Sequence, residues 1–144
     1  MFIKVVAVGK VKERYLLTKI QEYQKLIGFD ARLEVVEIRD GNRATEGEKI
    51  LSILKKSQGY SFALAEEGKQ FSSREFAQNI QNYNSRMVFV IGGPDGLSEK
   101  VKEYADLRFS LSRMTFTHDL ARLILFEQMY RALSIIRGRK YHRD

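Results

Sequence analysis

Three glycines and the single proline of the chain fall within five residues, Gly92 to Gly96, directly after the apolar run Met87–Ile91. Glycine lets a ligand approach the backbone closely, and ligands of open α/β sheets bind beyond the carboxyl ends of strands. The segment matches neither the dinucleotide-binding fingerprint nor the P-loop. Because Pro-Asp-Gly also favours a tight turn, the segment by itself leaves a ligand site and a plain turn equally open.

A second candidate is the segment Ser110–His118, which mixes hydroxyl and apolar side chains. Its backbone and hydroxyl groups are suited to a polar, partly apolar ligand such as a nucleoside. The competing interpretation is a loop that only caps the next helix, with Thr117 as the N-cap.

The third candidate is Arg122, on a predicted helix from Thr117 to Ile136. At helical spacing it lies in the middle of a wide apolar arc, with Leu125, Phe126 and Met129 nearby. A buried arginine needs partners, so Arg122 is either a structural ion pair or a catalytic group. An arc this wide also predicts that the helix packs on two surfaces, its own sheet and a second copy of the chain.

Charge points to an anionic partner. The 144 residues carry a net charge of +7, and the stretch 107–144 holds eight basic and three acidic residues. Seven of the eight are arginines, which make forked contacts with phosphate. The tail, residues 137–143, interleaves basic residues with a tyrosine and a histidine, a pattern seen in RNA recognition. Phosphate or RNA binding and an ordinary solvated chain end are both open here.

The elements that position these residues alternate in type. Strands are predicted at 2–8, 33–38, 60–65, 87–91 and 107–111, and helices at 11–27, 98–104 and 117–136. Two further helices follow the capping-box patterns Thr45–Glu48 and Ser72–Glu75. The alternation predicts one α/β domain over residues 1–144, with a mostly parallel sheet and helices on both faces. The most apolar strand, Met87–Ile91, is expected at its centre.

Composition excludes several classes of function. Cysteine is absent, which removes disulfides, thiolate metal sites and cysteine nucleophiles. Two histidines make a multi-histidine metal site unexpected, so no metal is predicted. The apolar runs are too short to span a bilayer, and no secretory signal is apparent, so we expect a cytoplasmic protein without a membrane partner.

Taken together, the motifs resemble the ribosomal RNA large subunit methyltransferase H family (RlmH, or YbeA-like) within the SPOUT methyltransferases. The resemblance covers essentially the whole chain, and its motifs occur in the family's order. They are Val8 to Glu13, Leu64 with Gly68-Lys69, Gly92 to Leu97, Ser110 to Phe116, Glu127 to Ala132, and Tyr141-His142-Arg143. Two positions depart from the pattern: Asp95 stands where Glu is common, and Thr117 where Pro is usual.

The resemblance implies a fold with a C-terminal trefoil knot, a homodimer and S-adenosylmethionine as cofactor. It implies methylation of N3 of a pseudouridine in large-subunit ribosomal RNA, on assembled ribosomes. The cofactor positions it carries over are Leu64, Gly92, Leu111, Ser112, Arg113, Met114, Thr115 and Phe116.

Other residues are candidates for the chemistry and for RNA. His118 or His142 could accept the N3 proton, and Arg122 could support the site. Arg131, Arg139, Tyr141 and Arg143 are candidates for RNA contact. The alternative function is a non-enzymatic RNA-binding module that uses the basic C-terminal quarter.

Overall fold

The computed structural model describes residues 1–83 and 85–144, in which five strands alternate with five helices. The strands are β1 (Phe2–Val8), β2 (Arg32–Ile38), β3 (Tyr60–Gln70), β4 (Arg86–Ile91) and β5 (Leu107–Ser110). The helices are α1 (Arg14–Gly28), α2 (Arg43–Lys56), α3 (Ser73–Asn82), α4 (Glu99–Tyr104) and α5 (His118–Ile136). The predicted order of elements is therefore confirmed.

The strands form one sheet in the order β2-β1-β4-β3-β5, and every neighbouring pair is parallel. β4 occupies the centre, and all of its residues except Arg86 are buried. This agrees with the expectation from its continuous apolar run. The carboxyl ends of all five strands consequently meet at one edge of the sheet, where the candidate loops begin.

Helices cover both faces, as predicted. Helices α1, α3 and α5 bury one hydrophobic cluster with Val5 and Ala7 of β1. Helices α2 and α4 bury a second cluster with Val6 and Val8 of the same strand. Successive side chains of a strand point to opposite faces, so β1 supplies both clusters.

Helix α5 lies between α1 and α3, in contact with both. Its residues Leu125, Phe126 and Met129 are completely buried. The wide apolar arc therefore has an explanation within one chain, because neighbouring helices cover its flanks. The homodimer remains a prediction that rests on the resemblance.

Local capping predictions had mixed outcomes. The capping box of Ser72 and Glu75 is present, with both reciprocal hydrogen bonds, and Thr117 caps α5. The box predicted for Thr45 and Glu48 is wrong, because α2 begins three residues earlier with Asn42 as its N-cap. The Asn42 side chain accepts a hydrogen bond from the Thr45 backbone N–H at 2.8 Å, so Thr45 lies inside the first turn.

Two structural findings bear on membranes and metals. Within the described part of the chain, no helix combines the length and the apolar character needed to cross a membrane. Residues 1–83 and 85–144 also contain no group of three or more His, Cys, Asp or Glu side chains that could hold a metal ion.

Candidate functional site

A cavity of about 990 Å³ opens at the carboxyl ends of the strands. This volume lies at the upper end of the range for small-molecule sites. Most of the lining comes from the β1–α1 connection, the middle of β3, the β4–α4 loop, the β5–α5 loop and the first turn of α5. It includes seven of the eight predicted cofactor residues: Leu64, Gly92, Leu111, Ser112, Met114, Thr115 and Phe116. Arg113 is exposed and lies outside the lining.

The glycine-rich loop after β4 is both a tight turn and a cavity wall. The Gly96 N–H donates to the Gly93 carbonyl at 2.9 Å, and Gly96 has a φ of +75°, which favours glycine. A Cβ on Gly92 would lie 2.6 Å from the Gly96 carbonyl carbon, so a side chain there would collide with the loop itself. The two interpretations of this loop are therefore compatible.

The cavity wall beside β5 is a bulge in β3 that the sequence prediction missed. Leu64 and Lys69 both pair with Phe109, so the segment 65–68 leaves the ladder. Ala65, Glu66 and Glu67 of this segment line the cavity. Gly68 lets the bulge return to the sheet, because a Cβ there would lie 2.6 Å from the Arg108 carbonyl carbon. A glycine within a strand-like stretch was the one sequence signal for it.

Serine hydroxyls stabilise the β5–α5 loop from within. The Ser110 hydroxyl donates to the Ser112 carbonyl at 2.9 Å, and the Ser112 hydroxyl accepts from the Met114 N–H at 3.0 Å. These hydroxyls thus have partners inside the loop. The Met114 side chain, in contrast, is 73% exposed at the cavity rim.

The cavity is acidic although the chain is basic. Five carboxylate side chains line it, against two lysines, Lys12 and Lys102. Lys102 already pairs with Glu67 at 2.8 Å, and this hydrogen bond lowers the pKa of the Glu67 carboxyl. The remaining carboxylates, on Glu13, Glu66, Asp95 and Asp119, give the cavity an excess of negative charge, which favours a cationic ligand.

His118 lies in the cavity lining beside Asp119, a residue that the sequence analysis did not select. The His118 Nε2 atom is 3.2 Å from the Asp119 Oδ1 atom. Asp119 Oδ2 accepts a weak hydrogen bond from the Lys12 backbone N–H at 3.4 Å. Asp119 Oδ1 is buried and has no hydrogen-bond partner among the described residues.

Arg122 lies outside the cavity lining, and its side chain is only 3% exposed. Its guanidinium forms an ion pair with Glu37 and donates to the Gly9 carbonyl at 2.9 Å. These bonds attach α5 to the carboxyl ends of β1 and β2. Of the two roles open from the sequence, this geometry favours the structural one.

The tail packs against α1 and α5 of its own chain. The Tyr141 ring meets the Tyr130 ring edge-on, with ring centres 4.7 Å apart, and its hydroxyl lies 3.1 Å from that of Tyr23. Burial raises the pKa of the Tyr141 hydroxyl. The Arg131 guanidinium stacks 4.8 Å from the Tyr141 ring centre and forms a forked ion pair with Glu127, with contacts of 3.0 and 2.9 Å.

His142 joins the same network. Its Nδ1 atom lies 3.1 Å from Arg131 Nη1, and because guanidinium only donates, Nδ1 is the acceptor. Nε2 then carries the proton and donates to Asp144 Oδ1 at 2.9 Å. Asp144 also pairs with Arg74 at 2.7 Å, and the bonds from Arg74 and His142 lower its pKa to about 2.

The structure thus separates the predicted functional residues into two groups. Arg131, next to His142, is thirteen residues after His118 on α5, or about 20 Å along the helix axis. His118 and His142 therefore do not share a site within one chain. Of the other RNA candidates, Arg139 pairs with Asp30, and Arg143 is exposed.

Comparison with known proteins places the chain among methyltransferases. The family described as "Predicted SPOUT methyltransferase" matches residues 1–142. A protein of Prochlorococcus marinus named ribosomal RNA large subunit methyltransferase H is 45% identical, over 98% of this chain and 95% of its own length. A protein of the same name from Carboxydothermus hydrogenoformans is 46% identical, over 99% of this chain and 100% of its own length.

Solved structures share the fold at low sequence identity. A probable methylase family protein from Haemophilus influenzae matches with a TM-score of 0.62 at 10% identity, over 99% of this chain and 70% of its own. The SpoU methyltransferase AviRb of Streptomyces viridochromogenes, solved in complex with AdoMet, matches with a TM-score of 0.54 at 11% identity, over 96% of this chain and 59% of its own. The α/β prediction is confirmed, and the family match is consistent with the trefoil knot that the resemblance implies.

Proposed function

Because the chain belongs to the SPOUT methyltransferases, we propose that it transfers a methyl group from S-adenosylmethionine to ribosomal RNA of the large subunit. The finer proposal, from the resemblance, is that the acceptor is N3 of a pseudouridine on the assembled ribosome. The relatives' names support the substrate class. The observation that supports S-adenosylmethionine as the cofactor is the acidic cavity built from the β3 bulge and the loops after β4 and β5.

The residues of the cavity fit S-adenosylmethionine. Apolar side chains of Ile91, Leu97 and Leu111 suit an adenosine, and the surplus of carboxylates suits a ligand with a positive sulfonium and an ammonium group. We propose that the eight residues carried over from the family hold the cofactor. Since the Arg113 side chain is exposed outside the lining, its part in binding would come through its backbone.

His118 is the proposed proton acceptor. The bound cofactor supplies an activated methyl group, so the chain has to align the acceptor base and accept the proton that leaves N3. His118 lines the cavity, and imidazole is the side chain suited to proton transfer near neutral pH. Arg122 supports this end of α5 through its bonds to the ends of β1 and β2.

We also propose that two copies of the chain assemble and that the tail of one serves the cavity of the other. Within one chain, Arg131, which contacts His142 of the tail, lies about 20 Å along α5 from His118, so the tail does not reach its own cavity in this arrangement. Light scattering coupled to gel filtration tests the assembly. A particle of 16.7 kDa at all concentrations would contradict it.

Two measurements test the methyltransferase proposal. Calorimetric titration should show stoichiometric binding of S-adenosylmethionine, and failure to bind would leave the RNA-binding module as the better hypothesis. Tritiated methyl incorporation into ribosomes from a strain lacking the gene should then occur at a single pseudouridine. Labelling of naked RNA but not of ribosomes would contradict the proposed substrate while leaving methyl transfer itself intact.

A further inference from the structure

Asp119 has an unexplained buried oxygen at the cavity. Its side chain is 14% exposed, and Oδ1 is buried without a hydrogen-bond partner among residues 1–83 and 85–144. Leaving a buried polar atom unpaired destabilises a protein, and more so when the group is charged. Such an atom in a binding cavity indicates a hydrogen bond that forms only when substrate and cofactor are bound.

The nearby donor is the imidazole of His118. Its Nε2 atom is already 3.2 Å from Asp119 Oδ1, but the two groups are not yet aligned as a hydrogen bond. Catalytic hydrogen bonds are often poorly aligned before a ligand binds. The other charged groups that line the same cavity are two lysines and four carboxylates: Lys12, Lys102, Glu13, Glu66, Glu67 and Asp95. Of these, Lys12 uses its backbone N–H on the second oxygen, Asp119 Oδ2.

We propose that Asp119 is a positioning residue for methyl transfer: it accepts the Nε2 proton of His118 and so selects the imidazole form in which Nδ1 keeps a lone pair. This proposal rests on the proposed function, in which His118 accepts the N3 proton. In the transfer, N3 gains the methyl carbon and loses its proton to His118 Nδ1. The imidazole becomes an imidazolium, and the bonding pair of the methyl group leaves with the sulfur. Asp119 stabilises the imidazolium through the same bond.

The proposal is tested first by nuclear magnetic resonance, because the chain has only two histidines. Long-range ¹H–¹⁵N spectra of the protein bound to S-adenosylhomocysteine, recorded where both imidazoles are neutral, should show Nε2 protonated and Nδ1 unprotonated in His118. Asp119→Asn should give a mixture of the two neutral tautomers of His118, because an amide can donate a hydrogen bond as well as accept one. His142 bonds to Arg131 and Asp144 instead, and its signals should not change.

Kinetics supply the second readout. Asp119→Asn should lower kcat about tenfold to a hundredfold, with the affinity for S-adenosylmethionine and the KM for ribosomes within twofold of wild type. In a His118→Ala background the same change should alter kcat less than twofold, since the two residues act as a unit. Asp40→Asn removes an equal charge from an exposed position and should change neither kcat nor the spectra.

Three outcomes would overturn the inference. One is an unchanged His118 spectrum in Asp119→Asn. Another is a tenfold loss of S-adenosylmethionine affinity with kcat unchanged, which would assign the carboxylate to the bound cofactor. The third is full activity of His118→Ala, which would remove the proton acceptor but leave the methyltransferase proposal standing. If wild type transfers no methyl group, the spectra still report on the Asp119–His118 pair.

Discussion

The cavity and the tail cluster, which comprises Tyr141, His142 and Asp144 with Arg131 and Glu127, are built in opposite ways. The cavity is assembled mainly from backbone segments of three connections and the β3 bulge, and most of its carboxylates lack a basic partner among the lining residues. The tail cluster is assembled from side chains, and its cations already have partners. A net charge of +7 therefore describes neither region.

This difference separates the kinds of ligand that the two regions favour. A cation can bind to the carboxylates of the cavity that lack a basic partner, and no existing ion pair has to break first. An arginine of the tail cluster can meet a phosphate only by sharing or leaving a carboxylate. The cavity should therefore respond to changes in backbone shape, and the tail cluster to changes in charge.

The largest expected effect concerns Arg122, which attaches α5 to the carboxyl ends of β1 and β2. Arg122→Met removes an ion pair and two hydrogen bonds to carbonyls, and Glu37 can regain water because its side chain is 37% exposed. We expect the free energy of unfolding to fall by about 3 kcal/mol, measured by urea denaturation. Arg39→Met, at an exposed position, should change it by less than about 0.5 kcal/mol. Unchanged stability with loss of methyl transfer would instead assign Arg122 to catalysis.

The next effect tests whether the cavity depends on backbone shape. In Gly92→Ala the new Cβ would lie 2.6 Å from Gly96 and 2.8 Å from Leu97, so the loop has to move. The affinity for S-adenosylmethionine measured by calorimetry should fall about tenfold to a hundredfold. Gly41→Ala is the matched control, because its Cβ meets no atom within 4 Å. Equal affinities for the two variants would show that the cofactor binds elsewhere.

A smaller effect tests whether the tail cluster depends on charge. Glu127→Gln removes the carboxylate from Arg131 on a partly exposed helix face. The free energy of unfolding should fall by about 0.5–1 kcal/mol, while cofactor affinity stays within twofold because Glu127 lies outside the cavity lining. Ribosome binding should strengthen if Arg131 contacts phosphate. A loss of cofactor affinity would show that the two regions are coupled.

The smallest effect is a titration at Asp144. Its pKa is lowered from 3.8 to about 2, so its bonds to Arg74 and His142 are intact above about pH 4 and are lost as the pH falls toward 2. The ¹³C carboxyl signal of Asp144 should follow this midpoint. In Arg74→Gln the midpoint should rise toward 3.8, and an unchanged midpoint would mean that the tail is not held by this pair in solution.

Much of the cavity could be predicted from the sequence, and the reason is local. Gly92 and the segment 111–116 follow strands whose ends had to meet, and family motifs marked them. The β3 bulge and the partner of His118 could not be predicted in this way. The bulge depends on how β3 pairs with β5. Asp119 is distinguished by the burial of its Oδ1 atom, and burial of a single atom cannot be inferred from residue spacing. Likewise, Thr45 and Ser72 carry the same local pattern, but Asn42 starts the helix before Thr45 can.

The sequence by itself determined the type and order of the elements, the buried central strand β4 and the caps at Ser72 and Thr117. These features depend on contacts within one or two turns, so periodicity and spacing record them. Only the tertiary structure decided the strand order and the partners of buried charges. Arg122 bonds to Gly9 and Glu37, 113 and 85 residues away, and contacts over such separations leave no trace in the local pattern.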